Sequence, residues 1–574
     1  MPSTSIQPTR SVLSPLASRM HEINTHQSHI AEFDPRAAPN DETLLAEIGY
    51  KQELKRRFST FQIFGISYSI MGILPSVASI ATTGLNSGPT GFLWSWVIAS
   101  LFILSIGISM SELASAIPTS GGLYYWTFYY APEKFRVPLS FLIGLTNTMA
   151  LTSGAVSVAY GNAQEILAAV YISKDGNFEI TSGKVYGVFA ACIIFQGLAT
   201  CLSSKNVATL QTISSISHTG LLILFLIAVP IGTKINIGKF NSRGFIFGEI
   251  DNFSNWPTGW QFCLSMMTAV WTIGAFDSCV HMSEEAKNAT YGVPIGICGS
   301  ISVCGLLGWI IIIVINACIN PNIEEVISTP TGFPIAQLFY DSLGKKWAIA
   351  LMSLMATCQW LMGSSLITAC SRQIWAFARD DGLPFCNIVK VVNKKLKVPM
   401  RAVGLSCILG LMLGCLCLAG SAAANALFTL YVCGCYLAWC TPILLKLIYG
   451  ENKFKPGTFF LGYKFSKINN IISCFWGAFI MILAMFPANK DPSKKNMNYT
   501  VVLSFGVWIL SMVYFFTYKY KHFHGPKSNL APEDVISLEK ALSHPDYIRA
   551  EEKDDEDDDD SDIQKLNLDV TSKK

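Results

Sequence analysis

The sequence predicts an all-α integral membrane protein of twelve transmembrane helices, built as a five-plus-five inverted repeat with broken helices 1 and 6 and two extra helices. Three observations carry this prediction. Of 574 residues, 51% are apolar or aromatic and only 14% are charged, against about a quarter charged in soluble domains. The charge is concentrated at the ends, with 14 charged side chains in residues 1–60 and 24 in 519–574, so the 458 residues between are about 9% charged. Finally, glycine, proline and polar residues interrupt two of the apolar runs at mid-span, where backbone polar groups cannot be left facing lipid.

The spans follow from a hydrocarbon core about 30 Å thick, which needs ~20 helical residues to cross. Runs free of Asp, Glu, Lys and Arg are 58–111, 137–164, 185–204, 206–233, 252–276, 288–323, 347–371, 402–445, 468–489 and 496–518. The first and the eighth are long enough for two helices each, turning at 85–91 and near 420–425. Ten runs with two doubled make twelve. Lys and Arg crowd the segments that would be inside if both termini are cytoplasmic: 51–57, 134–136, 372–401 and 446–467.

Three regions result: 1–57, a cytoplasmic tail ending in a short amphipathic segment over 41–57; 58–518, the twelve-helix body; and 519–574, a cytoplasmic tail with an acidic run at 551–562. The tails are too polar to bury a core. The acidic run reads as a solvated tail or as a contact for trafficking factors. No secretory pattern precedes the body, so its first helix is expected to act as the insertion signal. The composition excludes a soluble enzyme, a secreted disulfide scaffold and a nucleic-acid binder. The 17 cysteines are scattered through apolar runs and read as small buried hydrophobes. No metal or cofactor motif accompanies them.

Helix 1 holds Gly65, Ser67, Ser69, Gly72 and Pro75 within a dozen residues. Either it is a kinked helix packed closely on a neighbour, or it unwinds and turns free N–H groups toward an anion. Helix 6 holds Gly274 and Asp277 inside a span. An intramembrane acid is a functional candidate: it holds the break open through backbone N–H groups, or it meets a substrate amine or a proton. Breaks in helices 1 and 6 are the signature of a carrier with its site between inverted repeats.

Three long strings carry a family resemblance: Ser111-Glu-Leu-Ala-Ser-Ala-Ile-Pro-Thr-Ser-Gly-Gly-Leu-Tyr-Tyr-Trp126, Phe276-Asp-Ser-Cys-Val-His-Met-Ser-Glu-Glu285 leading to Val293-Pro294, and Ser371-Arg-Gln-Ile-Trp-Ala-Phe-Ala-Arg-Asp-Asp-Gly-Leu-Pro384. Over roughly residues 41–525 the chain resembles the amino acid–polyamine–organocation (APC) superfamily, in its amino acid/choline transporter branch. The stretches 44–56, 174–179 and 259–263 look most like fungal 4-aminobutyrate (GABA) permeases. The resemblance implies alternating access by rocking of one helix group against another, with proton coupling in many members. The family has glycine after the helix 6 acid, where this chain has Ser278, which makes the break tighter or more polar.

On that resemblance, N–H groups around Ser69, Ile70, Met71 and Gly72 would bind a carboxylate. Helix 6 carbonyls at Gly274 and the Asp277 carboxylate would bind an amine, and Trp271 and Phe276 would line the apolar middle. A quaternary ammonium would instead draw on an aromatic cage of Tyr68, Trp271 and Phe276. Candidates for proton coupling are His218, Asp277 and Glu165. His218 stands where some bacterial members carry a lysine; its other reading is a neutral ring hydrogen-bonded to a helix 1 carbonyl. Glu165 lies near the outer end of helix 3, which suggests interfacial solvation. Glu284 and Glu285, with Lys51, Arg56 or Arg57 as partners, are candidates for an inner gate or ordinary solvated loop charge. The expected partners are a small zwitterionic or cationic metabolite, protons and the lipid bilayer, with no cofactor. The expected activity is import of 4-aminobutyrate or a related ω-amino acid across the plasma or vacuolar membrane. The alternatives are choline or polyamine transport, or a non-transporting nutrient sensor.

Overall fold

The structure, a computed structural model, describes residues 41–530 apart from 249, 420 and 494–496. Residues 1–40 of the first tail and the acidic run at 551–562 lie outside the described residues. The described residues divide into two units, one of residues 53–526 and one of 41–52 with 527–530. In the smaller unit a helix covers Asp41–Glu47 and stops as Gly49 takes a left-handed φ of 99°. The amphipathic segment expected over 41–57 is therefore helical only at its start.

The larger unit is helical; among the described residues its only β feature is an isolated parallel bridge between Phe58 and Ala286. Eleven helices among the described residues are long and apolar enough to cross a membrane: Thr60–Ser79, Gly88–Ala116, Glu133–Ser173, Ser182–Thr200, Ser204–Asn236, Ala289–Cys318, Pro334–Arg379, Met400–Leu418, Ala426–Tyr449, Tyr463–Leu483 and Thr500–Thr517. These are spans 1–5 and 7–12. Span 6 is assembled from Thr258–Ser265, Met267–Thr272 and Ser278–His281, each too short to cross alone. Each of the two long runs divides into two helices, but earlier than expected: span 2 is helical from Gly88, within the turn expected at 85–91, and the helix of span 10 is already under way from Ser421, within the turn expected near 420–425.

Span 1 begins with a capping box. Gln62 N–H donates to Ser59 Oγ at 3.3 Å, and Ser59 N–H donates to Gln62 Oε1 at 3.0 Å. Spans 1 and 3 are the most enclosed and span 12 the least. Spans 2 and 7, 3 and 8, and 4 and 9 pack on one another, the pairing expected of equivalent elements in two repeats. Between spans 2 and 3, Gly122–Tyr130 form a helix against span 3. A buried trio ties spans 10 and 11 to span 2: Lys446 Nζ lies 2.6 Å from Glu112 Oε2, and Ser466 Oγ donates to the same oxygen.

Candidate functional site

Span 1 breaks at Gly72, whose backbone is left-handed (φ 41°, ψ 62°) and which both closes Thr60–Met71 and opens Ile73–Ser79. A β-carbon at Gly72 would stand 2.8 Å from Met362 Sδ and 3.1 Å from His218 Nε2. Handedness and space both demand glycine there. Ser76 Oγ donates to the Met71 carbonyl at 2.7 Å, which satisfies one group exposed by the break.

Span 6 breaks between Thr272 and Ser278, where Ala275 adopts a left-handed φ of 53°. Gly274 serves a different need from the one its place in the sequence suggests. Its φ is not left-handed; a β-carbon would meet Tyr431 Oη at 2.5 Å. Close approach of span 10, not backbone handedness, requires glycine. Ser278 is the first residue of the helical turn that follows the break.

The two breaks face each other. Ile73–Ser79 packs on Met267–Thr272, and Thr60–Met71 packs on Ser278–His281. The span 6 break and the span 3 side chain bonded to it carry buried polar atoms with no hydrogen-bond partner among the described residues: Asp277 Oδ1, Asn147 Oδ1, Ser278 Oγ, Thr272 Oγ1 and Trp271 Nε1. Native interiors seldom leave such atoms unpaired unless a ligand or water meets them.

The Asp277 carboxylate is fully buried and accepts a hydrogen bond from Asn147 Nδ2 at 3.0 Å. It is thus held by a span 3 side chain. Trp271 packs on Phe428 and Tyr431 of span 10, ring centroids 4.5 and 5.3 Å away, and Phe276 packs on Trp439 at 4.2 Å. Span 10 therefore supplies an aromatic wall that sequence reasoning missed. The spacing of Phe428, Tyr431, Cys435 and Trp439 on one helical face was the available signal. Asn147 carried no such signal.

Ser69, Ile70 and Met71 lie inside the regular helix Thr60–Met71, and the Gly72 N–H bonds the Tyr68 carbonyl at 3.2 Å. The expectation that their N–H groups are free is corrected: the first N–H groups beyond the break are those of Ile73 and Leu74. The Ser69 hydroxyl belongs to a chain joining spans 1, 5 and 8, bonded to Ser214 and, at 2.9 Å, to Ser365, which donates to Gln211 Oε1 at 2.6 Å.

His218 lies beside that chain. Its Nδ1 is 2.8 Å from the Ser214 carbonyl in its own helix, so Nδ1 carries the hydrogen and no helix 1 carbonyl is involved. Its Nε2 is buried, without a partner, against Gly72. Glu165 is fully buried, and both its oxygens lack partners among the described residues. The expected interfacial solvation is corrected, because span 3 runs on to Ser173 and encloses the residue. A cavity of about 440 Å³ lined by Asn162, Ala169, Ser353 and Trp360 lies nearby and shares no residue with the breaks.

Beyond span 6, Glu284 accepts a bidentate pair from Arg379 (2.9 and 3.1 Å), and Glu285 accepts from Arg372 Nε at 2.8 Å. Glu284 Oε1 also accepts from Ser120 N–H at 3.0 Å and Thr119 Oγ1 at 3.2 Å. Burial pushes the Glu284 carboxyl up, but the Arg379 guanidinium, the Ser120 N–H and Arg56 together hold it below the usual carboxylate range. Arg56 donates to the carbonyls of Ser283 (3.1 Å) and Ala286 (2.7 Å), and Arg57 N–H to that of Glu285 (2.9 Å). The carboxylates just after span 6 are thus gripped by the C-terminal end of span 8, while the segment before span 1 holds the main chain.

Two facing helix breaks enclosed by a multi-span body, with an acid and aromatic rings at the junction, define a membrane carrier rather than an enzyme. The chain belongs to the amino acid permease family, whose model matches residues 58–509. It is 52% identical over 523 residues to the GABA-specific permease of Saccharomyces cerevisiae, covering 90% of this chain and 92% of that one. It is 32% identical over 484 residues to an uncharacterised amino-acid permease of Schizosaccharomyces pombe, covering 84% and 87%. A Candida albicans protein provisionally described as a polyamine transporter is 30% identical over 549 residues, covering 93% and 96%.

Proposed function

We propose that this permease imports 4-aminobutyrate, or a related ω-amino acid, together with protons by alternating access. The observation that carries the reading is the buried Asp277 carboxylate at the span 6 break, one oxygen held by Asn147 and the other unpartnered. A ligand ammonium matches that oxygen, and the likeness to a GABA-specific permease supports the substrate. The ligand's carboxylate then meets main-chain N–H groups at the Gly72 break, next to Ser69, Ile70 and Met71. Trp271, Gly274, Phe276 and Tyr431 face its short apolar chain. The protons pass through the groups buried around this junction, His218, Asp277 and Glu165. Opening toward the cytoplasm separates Glu284 and Glu285 from Arg379 and Arg372 and loosens the Arg56 and Arg57 contacts. Both termini are cytoplasmic, where trafficking factors meet the tails, and the membrane is the plasma or the vacuolar membrane.

A second reading, polyamine import, is favoured by the Candida albicans relative and by the same acid. The test is uptake of labelled 4-aminobutyrate, putrescine and choline into cells lacking their own carriers, with and without a protonophore. The proposal expects protonophore-sensitive accumulation of 4-aminobutyrate. Putrescine uptake alone favours the second reading, and uptake indifferent to the proton gradient overturns the coupling. His218→Ala is expected to impair accumulation more than exchange; equal loss of both assigns the residue a structural role.

A further inference from the structure

His281 follows Asp277 by one helical turn, and both side chains are fully buried. His281 Nδ1 lies 3.0 Å from the Ser120 carbonyl. An acceptor at that distance requires Nδ1 to carry a hydrogen. In a neutral ring the other nitrogen, Nε2, then presents a lone pair. That lone pair faces Asp277 Oδ2 at 3.4 Å, while the same oxygen already accepts from Asn147. Two lone pairs cannot be opposed across 3.4 Å in a buried site without repulsion. A single added proton removes the conflict, as imidazolium facing carboxylate or as neutral ring facing carboxylic acid. Either form leaves the pair uncharged overall. Its removal leaves one uncompensated negative charge in the interior.

Span 8 packs on the turn that carries the pair and brings Arg372 and Arg379 toward it, and the buried Asp380, which accepts from Tyr124 Oη at 2.7 Å, lies beside Arg379. Cys279 shares the pair's helical turn; Tyr431 and Cys435 face Asp277 from span 10. Span 3 contributes Asn147, span 1 the Ile63 carbonyl and Ser67 toward Cys279, and span 7 Gly296. The full charges toward the cytoplasm are Glu284 with Arg379 and Arg56, and Glu285 with Arg372.

Ser120 joins the two sets. Its carbonyl accepts from His281, and its N–H donates to Glu284, which Arg379 holds. One residue thus connects the pair to the ion pair between the segment after span 6 and the end of span 8.

We propose that Asp277 and His281 form a one-proton site that governs closure on the cytoplasmic side. With the proton on Nε2 the ring is an imidazolium facing the carboxylate; its charge-assisted link to Ser120 reinforces the Glu284–Arg379 pair and the inner passage stays shut. Release of the proton from Nε2 to water entering from the cytoplasm leaves ionised Asp277 and a neutral ring. The Ser120 link weakens, and the passage opens. This rests on the reading of proton-driven import and locates its proton at a pair that includes His281, a residue outside the expected site.

The test uses the purified full chain in phosphatidylcholine–phosphatidylglycerol vesicles carrying a pH-sensitive dye. Labelled 4-aminobutyrate uptake is driven by an inward proton gradient and, separately, by counterflow at equal pH. Two variants divide the alternatives. His281→Asn keeps a donor for Ser120 and lacks Nε2; His281→Gln keeps a donor toward Asp277 that never titrates. Each is expected to lower gradient-driven accumulation and internal acidification at least tenfold, to retain counterflow within about threefold, and to flatten the dependence of uptake on pH. If either variant accumulates as the wild type does, or if both lose counterflow as fully as accumulation, His281 is structural and the proposal is overturned. A wild type that takes up 4-aminobutyrate without moving protons overturns the coupling reading itself, a result visible before any variant is made.

Discussion

Replacing Gly72 by alanine tests the span 1 break at its narrowest point. The substitution asks an L-residue to hold φ 41° and ψ 62° and inserts a methyl group 2.8 Å from Met362 Sδ and 3.1 Å from His218 Nε2. Left-handed backbone costs a non-glycine residue about 1–2 kcal/mol. Overpacking a filled interior adds about 1–3 kcal/mol. The two effects are separable, because Met362 is flexible and the backbone strain is not. Gly72→Ala is expected to lower thermal stability in detergent and to reduce 4-aminobutyrate uptake below a tenth of wild type. Gly72→Ala with Met362→Ala recovers the part due to crowding and leaves the part due to handedness. Gly220→Ala is the control: it lies on span 5, two residues past His218, with nothing within 4 Å of a new β-carbon. It is expected to be neutral or to stabilise by up to about 1 kcal/mol. A Gly72→Ala protein as stable and as active as wild type would refute the reasoning.

Further outcomes follow from neighbouring contacts. Gly274→Ala drives a methyl group into Tyr431 Oη, so it should abolish uptake, and Tyr431→Phe added to it should restore part; no rescue would show that the two do not compete for that space. Asn147→Leu removes the donor to Asp277, a loss of about 1–3 kcal/mol to be read as a rise of about 5- to 150-fold in the KM for uptake. Lys446→Met leaves Glu112 buried and unpaired, which costs about 3–5 kcal/mol; thermal denaturation should show it, with most of the loss recovered when Glu112→Gln is added. The Glu284 carboxyl is held below its unfolded range, so its contribution to stability is complete above an unfolded pKa of about 4.3 and is lost as pH falls through the lower folded value. Glu284→Gln should remove that part of the acid sensitivity in a pH series of melting curves.

The breaks were legible because they are written in local chemistry. Glycine, serine and proline inside an apolar run have few uses in lipid, and an acid there has fewer. The span count was legible for the same reason, since charge-free length maps onto membrane thickness. What could not be read was which distant side chain completes each group. Gly274 looked like a hinge, and only the approach of Tyr431 shows it to be a clearance. Glu165 bounded a charge-free run and so looked interfacial, although the helix continues past it and buries it. Glu284 and Glu285 had several basic residues within sequence reach. Bidentate geometry at the end of span 8 favours Arg379 for Glu284, and pairing of that kind depends on tertiary placement. His281 was hidden by its neighbour: the eye stops at the acid, and the ring one turn later acquires meaning only when Ser120 fixes which nitrogen bears the hydrogen.

The most direct measurement of the central claim, that the facing breaks bind a small charged metabolite at Asp277, is equilibrium binding of labelled 4-aminobutyrate to the purified chain, wild type against Asp277→Asn. The account predicts saturable binding at one site per chain, weakened at least tenfold in the variant while the protein remains folded. Equal binding by the two proteins would contradict it.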